Sequence, residues 1–392
     1  MMAGGCAGIA DRMTDIQAFQ VMDILARARE LEAQGRSIIH MEIGEPDFAT
    51  PAPIIEAGIA ALRAGRTHYT PALGLPALRA AIATYYGEHY GVNISPERVI
   101  VTPGSSGALL LALGVLLNPG EGVLMTDPGY PCNRHFVRLL EGRVSAIPVG
   151  TATDYQLTAD LLARYWQAKT RVVMLASPSN PAGTIVSAEG LRAIAANTTA
   201  RGGHLIMDEI YHGLVYGSRL PTALEYGDDI FVINSFSKFF NMTGWRIGWL
   251  IAPEHYVPAI DRLAQNIFLA ASTPAQYAAL QAFAPETRMI LEQYRQAFRE
   301  RRDYLLPALR ALGFDIAAQP AGAFYLYADC KQFSTDSQIF ARRLLDEAGV
   351  ALTPGCDFGD HLAATHVRFA YTTALENLEA GVSRLEHFLR TV

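Results

Sequence analysis

Polar side chains that could do chemistry follow several short apolar runs of this sequence. They are Asn180 after RVVMLASPS, Asp208 and Tyr211 in HLIMDEIY, and Ser235, Ser237 and Lys238 in FVINSFSK. The small-residue turn PGSSG at 103–107 precedes another apolar run, so its N–H groups would open a helix and suit an anion. In open α/β sheets, ligands bind outside the carboxyl ends of the strands. If the runs are parallel strands, these polar groups converge on one crevice.

The residue types indicate a ligand with three parts. Ser237, Arg246 and the turn at 105–107 suit a phosphate group, because they offer a positive charge and hydrogen-bond donors. Asp208 suits a basic ring nitrogen. Lys238 suits a carbonyl carbon, since an amine near another cation and away from water has a lowered pKa and is more nucleophilic. Pyridoxal phosphate has all three parts, and it acts as an electron sink when an acid pairs with its ring nitrogen.

Each of these residues also has an ordinary structural interpretation. A lone lysine beside Phe239 usually extends its amine to water. Asp208 could cap a helix, and Asn180 before Pro181 is a common turn former. Tyr211 could belong to the hydrophobic core. The order of these residues, each at the end of a predicted strand, favours the chemical interpretation.

The apolar runs that must position these residues alternate with helical patterns from about residue 75 onward. Strands are predicted in RVIVT, GVLMTDP, RVSAIPV, RVVMLA, HLIMD and DIFVINS, and helices in LPALRAAIATYYGEHYG and ALLLALGVLL. Short β-rich apolar strands separated by helices are typical of a mostly parallel central sheet flanked by helices. The predicted fold class is therefore α/β.

A second, smaller α+β domain is predicted from both ends of the chain. Residues 17–34 have the pattern of an amphipathic helix, and residues 286–312 that of a long helix leading away from the sheet. The later predicted elements are strands near 322–328 and 366–371 and helices near 336–348 and 375–390. We expect a large domain at 45–285 and a small domain formed by 1–44 and 286–392.

The composition limits the class of protein. The chain has 392 residues, a formal net charge of −6 and 50% hydrophobic residues, which argues against a general nucleic-acid binder. Its cysteines, Cys6, Cys132, Cys330 and Cys356, form no CxxC pair, so neither a disulfide framework nor a metal site is expected. The predicted location is the reducing cytoplasm. No signal peptide is predicted, and the longest apolar run, 108–117, is too short to span a bilayer.

Longer motifs resemble the fold-type I, class I aminotransferases across nearly the whole chain. In order, these motifs are MEIGEPDFATP, HYTPALGLPALR, DPGYP, SPSNPAGT, DEIYHGLVY, SFSKFFNMTGWRIGW and HVRFAY. Their length and order make them far more specific than a single short pattern. The branch resembled is the large prokaryotic one that includes aspartate, aromatic and alanine aminotransferases. The resemblance implies a pyridoxal-phosphate-dependent transaminase that moves the amino group of an L-amino acid to a 2-oxo acid.

The resemblance implies a role for each matching residue. As catalytic residues, Lys238 forms an imine with the cofactor and moves the α-proton, Asp208 keeps the ring nitrogen protonated, and Tyr211 hydrogen-bonds the phenolic oxygen. The other implied cofactor-binding residues are Tyr130 on the ring face, Asn180 on the phenolic oxygen, Ser105, Ser106, Ser235, Ser237 and Arg246 around the phosphate, and Tyr69. The implied substrate-binding residues are Gly44, Asn180 and Arg368, whose guanidinium matches the geometry of the α-carboxylate.

The resemblance extends to assembly and kinetics. Tyr69 is expected to reach the phosphate of a neighbouring subunit, which implies a homodimer with shared active sites. Donor and acceptor use the same site in turn, so ping-pong kinetics are expected.

One departure from the family pattern bears on the choice of substrate. Members of this branch that favour dicarboxylic acids often have lysine where this chain has Ser106 and glutamine where it has Gly107. Without that cation, aspartate is a less favoured donor, and apolar or small neutral donors gain weight. The expected acceptor is 2-oxoglutarate or pyruvate.

Two other functions are compatible with parts of the sequence. A carbon–sulfur β-lyase would use the same cofactor and the same fold, although EIGEPDF resembles the transaminases more closely. A cofactor-bound regulatory protein would need an attached DNA-binding domain, and only about 40 residues precede the first motif.

Three histidines in or near the motifs have no metal-ligand spacing. His212, His361 and His366 each lack a partner at the separation that a shared metal ion would need. We interpret them as surface residues or as residues that support the site from behind. No metal site is predicted.

Overall fold

The structure of the protein, a computed structural model, describes residues 8–391, so Cys6 lies outside the described residues. The α-helices of this part are α1 (Gln20–Ala33), α2 (Ala52–Arg63), α3 (Pro76–Tyr90), α4 (Gly104–Leu116), α5 (Pro131–Leu139), α6 (Ala159–Tyr165), α7 (Ala188–Ala200), α8 (Val257–Ile267), α9 (Thr273–Leu280), α10 (Pro285–Ala311), α11 (Ser337–Arg343) and α12 (Leu375–Leu389). A π-helical segment, Leu344–Ala348, continues α11.

Strands form three sheets in the described part of the chain. They are β1 (Ile39–His40), β2 (Val99–Thr102), β3 (Gly122–Asp127), β4 (Arg143–Pro148), β5 (Thr170–Ala176), β6 (His204–Asp208), β7 (Ile230–Ser235), β8 (Gly248–Ile251), β9 (Tyr325–Asp329), β10 (Val350–Ala351), β11 (Thr353–Pro354) and β12 (His366–Ala370).

The largest sheet has seven strands in the order β2-β8-β7-β6-β5-β3-β4. Neighbours from β7 to β4 pair in parallel, and only β8 runs antiparallel to its neighbours β2 and β7. The α/β fold class with a mostly parallel sheet is confirmed. The antiparallel β8, with the sequence GWLI, was not among the predicted strands.

Burial on both faces explains why these strands have almost uninterrupted apolar sequences. Every residue of β2, β7 and β8 is buried. One face packs on the apolar helix α4 through residues such as Ile206 and Phe231, and the other packs in a separate cluster through residues such as Val173 and Met207. Parallel strands covered on both faces need apolar side chains at every position rather than at alternate ones. The sheet is therefore rigid, and it leaves its carboxyl edge to carry polar groups.

The two small sheets lie among the elements from both ends of the chain. The antiparallel sheet has the order β11-β12-β9, and β1 pairs in parallel with β10. A third core cluster joins these strands to α10, α11 and α12 through residues such as Phe298, Phe340 and Leu378. The division of the chain into domains at 45–285 and at 1–44 with 286–392 stays a prediction.

Local sequence signals mark where several helices begin and end. Pro76, Pro131 and Pro285 occupy the first positions of α3, α5 and α10, where a missing N–H group costs nothing. Gly91 follows α3 with φ of 73°, a backbone conformation that favours glycine. The predicted long helix at 286–312 is confirmed as α10, and that at 17–34 begins slightly later, at Gln20.

Two further findings concern the predictions on cysteines and membranes. Cys132, Cys330 and Cys356 are free thiols. Among the residues described, no helix is both long and apolar enough to cross a bilayer.

Candidate active site

The carboxyl edge of the large sheet carries the predicted polar residues. Asp208 is the last residue of β6 and is 8% exposed. The N–H of Ile210 donates to its Oδ1 over 3.1 Å. Burial raises the pKa of Asp208 to about 6, although the Ile210 hydrogen bond and the charge of Lys238 oppose that rise. A buried carboxylate of this kind is stabilised by a cationic partner.

Lys238 differs from the other lysines of the chain in its surroundings. The sequence contains three lysines, and the side chains of Lys169 and Lys331 are exposed whereas Lys238 is partly buried. Its Nζ donates to the carbonyl of Gly44 over 2.6 Å and lies 5.9 Å from the centre of the Phe324 ring. Burial, chiefly, and the charges of Arg368 and Arg246 together lower the pKa of Lys238 to about 8. The amine is therefore close to the pKa that a base or nucleophile needs at neutral pH.

The amino end of α4 forms the anion-binding side of the crevice. Arg246 lies so close to Gly104 that a β-carbon there would be 2.6 Å from the Arg246 Nη2. Ser105 is half-buried in the first turn of α4, and Ser106 beside it is exposed. A helix N-terminus with a guanidinium beside it attracts an anion through its free N–H groups and its positive charge.

The predicted serines of the lysine segment lie next to this helix. The hydroxyl oxygens of Ser235 and Ser237 are 2.9 Å apart, and both side chains are buried. The N–H of Ser237 donates to Ser235 Oγ over 3.1 Å. Strand β8 crosses here, and a β-carbon at Gly248 would be 3.0 Å from the nitrogen of Ser105. The unpredicted strand thus brings the lysine segment against the amino end of α4.

Arg368 forms a second cationic site within the crevice. It lies on β12, is 3% exposed, and donates from Nη1 to Asn180 Oδ1 over 3.0 Å. Its Nη2 donates to the carbonyl of Glu42 and to Thr353 Oγ1. Its Nε has no hydrogen-bond partner among the described residues. A buried guanidinium with a free donor is suited to a carboxylate ligand.

Two tyrosines and a glycine connect the lysine to the arginine. The hydroxyls of Tyr211 and Tyr325 are 2.8 Å apart, and the guanidinium carbon of Arg368 is 4.4 Å from the centre of the Tyr325 ring. Burial raises the pKa of both tyrosine hydroxyls, so both are neutral donors at physiological pH. A β-carbon at Gly44 would collide with the Tyr325 hydroxyl. Sequence reasoning missed Tyr325, because no local pattern in AGAFYLYAD pairs it with a residue more than 100 positions earlier.

Tyr130 and Tyr69 occupy the periphery of this group. Tyr130 immediately precedes α5 and packs edge-on against Phe19, with ring centres 6.4 Å apart. A cavity of about 820 Å³ adjoins Tyr130 and Asn180 and is also lined by Phe358. Tyr69 is 83% exposed, and no hydrogen bond joins it to the other predicted site residues. The single chain thus assembles the predicted residues except Tyr69.

His212 and His366 are not surface residues, which leaves the alternative interpretation that they support the site from behind. His212 and His366 are 7% and 4% exposed, whereas His361 is partly exposed. His212 Nδ1 is 3.3 Å from the Tyr90 hydroxyl and 3.6 Å from Glu209. Burial lowers the pKa of His212 to about 3 and raises that of Glu209 to about 8, so both are mainly uncharged at neutral pH. The apolar surroundings that bury them come from distant parts of the chain, which local spacing did not reveal.

Comparison with known proteins identifies relatives of this chain. The sequence profile described as aminotransferase class I and II matches residues 36–385. A curated relative from Methanocaldococcus jannaschii, named (5-formylfuran-3-yl)methyl phosphate transaminase, is 38% identical over 97% of this chain and 99% of its own length. The valine–pyruvate aminotransferase of Mycobacterium tuberculosis is also 38% identical, over 95% of this chain and 97% of its own.

A solved structure agrees in fold as well. An aminotransferase from Mycobacterium tuberculosis superposes with a TM-score of 0.95 and 37% identity, covering 98% of this chain and 99% of that one. Members of the family depend on pyridoxal phosphate. Because the match covers nearly all of the chain and the site residues meet at one sheet edge, the chain belongs to the class I and II aminotransferases and is a transaminase.

Proposed function

We propose that this transaminase uses pyridoxal phosphate to move the amino group of an apolar or small neutral L-amino acid to 2-oxoglutarate or pyruvate. One observation carries the proposal. Lys238, with a pKa lowered to about 8, shares a crevice with a buried guanidinium, Arg368, whose Nε has no hydrogen-bond partner among residues 8–391. An amine that can act as a base beside a carboxylate-binding cation suits the chemistry of α-amino acids.

The described residues fit pyridoxal phosphate. The phosphate would be held by the amino end of α4 with Ser105, Ser237 and Arg246, where the absence of a β-carbon at Gly104 leaves room for the guanidinium. Ser106 and Ser235 are proposed to complete this region. Tyr130 would cover a face of the ring. When bound, the cofactor supplies a carbonyl carbon for the amino group and an electron sink for the charge left on the α-carbon.

Asp208 and two hydrogen-bonding residues are proposed to set the protonation of the cofactor ring. The buried Asp208 carboxylate would face the ring nitrogen and keep it protonated, because a cation there offsets the cost of burying the carboxylate. Tyr211 donates from its neutral hydroxyl, and Asn180 from its amide nitrogen, to the phenolic oxygen. The Asn180 amide oxygen accepts from Arg368, which leaves its amide nitrogen free to donate.

Arg368 is proposed to orient the substrate. Asn180, Thr353 and the carbonyl of Glu42 hold its Nη1 and Nη2, so the guanidinium plane has a fixed orientation. A substrate carboxylate placed there turns the Cα–H bond toward Lys238. Gly44 supplies the carbonyl that holds the lysine amine before substrate arrives, over 2.6 Å. In the reaction, Lys238 Nζ accepts the α-proton and later donates it, acting first as base and then as acid.

The residues around the crevice support an apolar or small neutral donor. The exposed Ser106 stands where the dicarboxylate-preferring members have a cation, and Phe19 against Tyr130 forms an apolar wall. A relative with 38% identity is named for valine and pyruvate, which supports an apolar donor and pyruvate as acceptor. A second relative, with 33% identity, is named aspartate aminotransferase, so aspartate belongs in the test panel.

We also propose a homodimer with shared sites and a cytoplasmic location. The proposal for the dimer is supported by Tyr69, which is 83% exposed although it is large and aromatic. In a dimer, its hydroxyl would reach the phosphate of the neighbouring subunit. The location is supported by the free thiols of Cys132, Cys330 and Cys356.

Half-reaction spectroscopy tests the proposed function. The protein with pyridoxal phosphate is mixed with single amino acids, and the cofactor absorbance band is followed without an acceptor. Valine and other apolar donors are expected to bleach the band, aspartate is expected to do so more slowly, and pyruvate or 2-oxoglutarate should restore it. No change with any amino acid would contradict the proposal. Cystathionine serves as the test of the lyase alternative, since its conversion to ammonia and pyruvate would favour that activity.

A further inference from the structure

A histidine–glutamate pair lies directly behind the arginine and the lysine of the site. Glu42 is fully buried, and its Oε1 is 2.7 Å from Nδ1 of His40. Its Oε2 has no hydrogen-bond partner among residues 8–391. The other ring nitrogen of His40, Nε2, is 3.1 Å from Glu32 Oε1 at the protein surface. Neither the His40 ring nor the Glu42 side chain has a part in the proposed chemistry.

The backbone next to this pair holds both cations of the site. The carbonyl of Glu42 accepts from Arg368 Nη2 and from Thr353 Oγ1, the latter over 2.9 Å. Two residues later, the carbonyl of Gly44 accepts from Lys238 Nζ over 2.6 Å. We refer to residues 42–44 as the carbonyl segment. A movement of this segment changes the direction of the guanidinium and of the amine together.

The segment is anchored on one side by backbone hydrogen bonds. The N–H of Met41 donates to Ala351, and the N–H of Ala370 donates to Met41, so the chain is fixed just before Glu42. Within the segment, Thr372 Oγ1 donates to the carbonyl of Ile43 over 2.9 Å. The Glu42 carbonyl is itself held by Thr353 and Arg368, and the Glu42 side chain ties the same residue to His40.

A buried carboxyl is costly, which is why its partner matters. A buried carboxyl without a partner destabilises the folded state, and a hydrogen-bond partner offsets much of that cost. The His40 ring is the one hydrogen-bond partner of the Glu42 carboxyl in the described part of the chain. Without it the Glu42 carboxyl would have to leave its buried position, and the resulting shift of residue 42 would loosen the contact of its carbonyl with Arg368.

We propose that His40 and Glu42 are positioning residues that hold the carbonyl segment against Arg368, and that they thereby set the affinity of the site for the α-carboxylate of donor and acceptor. This inference rests on the proposed function for the identity of the substrates. It adds that the affinity for carboxylates depends on two residues that touch neither substrate nor cofactor.

Substitution of Glu42 tests whether its side chain positions the carbonyl segment against Arg368 or only stabilises the fold. Glu42→Ala is expected to raise the KM of the donor and of the acceptor at least about tenfold, with a smaller change in kcat. It should also weaken binding of 3-methylbutanoate, the deaminated counterpart of valine, by a similar factor in calorimetry on the protein loaded with pyridoxal phosphate. Glu42→Gln keeps a hydrogen bond to His40 and should restore most of the affinity. If Glu42→Ala does not fold, His40→Ala tests the same pair.

Two control variants identify a merely structural effect. Glu32→Gln removes only the exposed end of the network and should leave the KM values unchanged. Leu378→Ala creates a cavity in the small-sheet core and should lower the melting temperature without raising the KM values. The proposal is overturned if Glu42→Ala and His40→Ala bind 3-methylbutanoate as the unaltered protein does, or if Leu378→Ala weakens it equally. Because this binding needs no turnover, it tests the pair even if transamination fails in every panel.

Discussion

At the scale of single residues, the surroundings of Lys238 decide its chemistry. A lysine amine in water is almost fully protonated at neutral pH, and a protonated amine is neither a base nor a nucleophile. Lys169 and Lys331 remain in that state because both are exposed. Partial burial near Arg368 and Arg246 lowers the pKa of Lys238 to about 8. Any lysine has an amine that can act as a base, and the neighbours of Lys238 lower its pKa enough for it to do so near neutral pH.

Loss of the Lys238 amine is expected to abolish transamination. Lys238→Ala removes the only lysine that lies in the crevice, so turnover should fall by at least about a thousandfold. Borohydride reduction of the unaltered protein with pyridoxal phosphate should label the peptide that contains Lys238. Lys331→Ala, at an exposed lysine, is the matched control and should keep full activity. Retained transamination in Lys238→Ala would show that another group is the base.

The pKa of Lys238 is expected to depend on Arg368. A lysine with a pKa of about 8 becomes neutral above that pH, so uptake of pyridoxal phosphate by the apoprotein should accelerate as the pH rises through 8. Arg368→Gln removes a positive charge that lowers this pKa, so the midpoint of the pH profile should move upward. Arg343→Gln removes an exposed charge on α11 and should leave the midpoint in place. An unchanged midpoint in Arg368→Gln would contradict the electrostatic account.

At the scale of secondary structure, the site is built where elements end. Parallel strands β5, β6 and β7 finish at the same sheet edge and deliver Asn180, Asp208 and Lys238 to one crevice. The amino end of α4 faces that edge because β8 runs between β2 and β7. Residues 42–44 cross from the small sheets and bring main-chain carbonyls to the cations. Helices and strands thus fix groups that come from distant parts of the sequence.

Gly44 packs so closely against Tyr325 that residues 42–44 cannot accommodate one additional methyl group there without a shift. Gly44→Ala places a β-carbon in collision with the Tyr325 hydroxyl, so the free energy of unfolding should fall by roughly 1–3 kcal/mol and activity should decline. Gly44→Ala combined with Tyr325→Phe should recover part of the stability, measured by urea unfolding. Gly217→Ala is the control, because no atom lies within 4 Å of a β-carbon there. Equal losses in the single and double variants would argue against this contact.

The hydrogen bonds of His40 at the end of β1 predict a pH-dependent contribution to stability. Glu42, chiefly, and Glu32 raise the pKa of His40 from 6.5 to about 9 in the folded protein, whereas the unfolded chain keeps the lower value. The folded state therefore binds the proton more tightly. The stabilisation is fully present below pH 6.5 and is lost as the pH rises through 9.

Urea unfolding of the unaltered protein and of His40→Ala checks this sign. The difference in unfolding free energy should be largest near about pH 6 and should shrink by about pH 9.5, since only the protonated ring contributes. Glu32→Gln, which leaves the inner hydrogen bond intact, should retain most of the pH dependence. A difference that grows with pH would show that His40 is neutral in the folded state.

At the scale of the whole molecule, several large apolar residues are exposed. Leu62, Tyr69 and Leu269 are 56%, 83% and 53% exposed. The segments that carry Tyr69 and Leu269 lie side by side, because Thr273 Oγ1 donates to the carbonyl of His68 over 2.6 Å. Clustered exposed apolar side chains commonly mark association sites. The exposure of these residues supports the proposed homodimer.

Light scattering and dilution test the assembly. The protein should have twice the chain mass of 42.6 kDa, and activity should fall at concentrations where the dimer dissociates. Tyr69→Phe should weaken pyridoxal phosphate binding without changing the mass, because only the hydroxyl is lost. A fully active monomer, or unchanged cofactor affinity in Tyr69→Phe, would contradict a shared site.

Local sequence patterns predicted the parallel strands of the large sheet and the chemistry at their ends. Apolar runs such as those of β5 and β7 predict buried parallel strands, and polar residues directly after them must then lie at the carboxyl edge. That argument needs only local spacing, which is why Asn180, Asp208 and Lys238 could be predicted together. The motifs around them extended the prediction to the family, which the comparisons confirm.

Tertiary packing sets which distant residues meet. Contacts between segments far apart in the chain place Tyr325 against Tyr211 and the Glu42 carbonyl on Arg368. They also set strand β8 between β2 and β7 and bury His212 and His366. Such pairings follow from how packed layers fit together, and no local pattern of residues encodes them. Residue types and spacing therefore predict which groups can react, and packing decides how each is oriented, charged and supported.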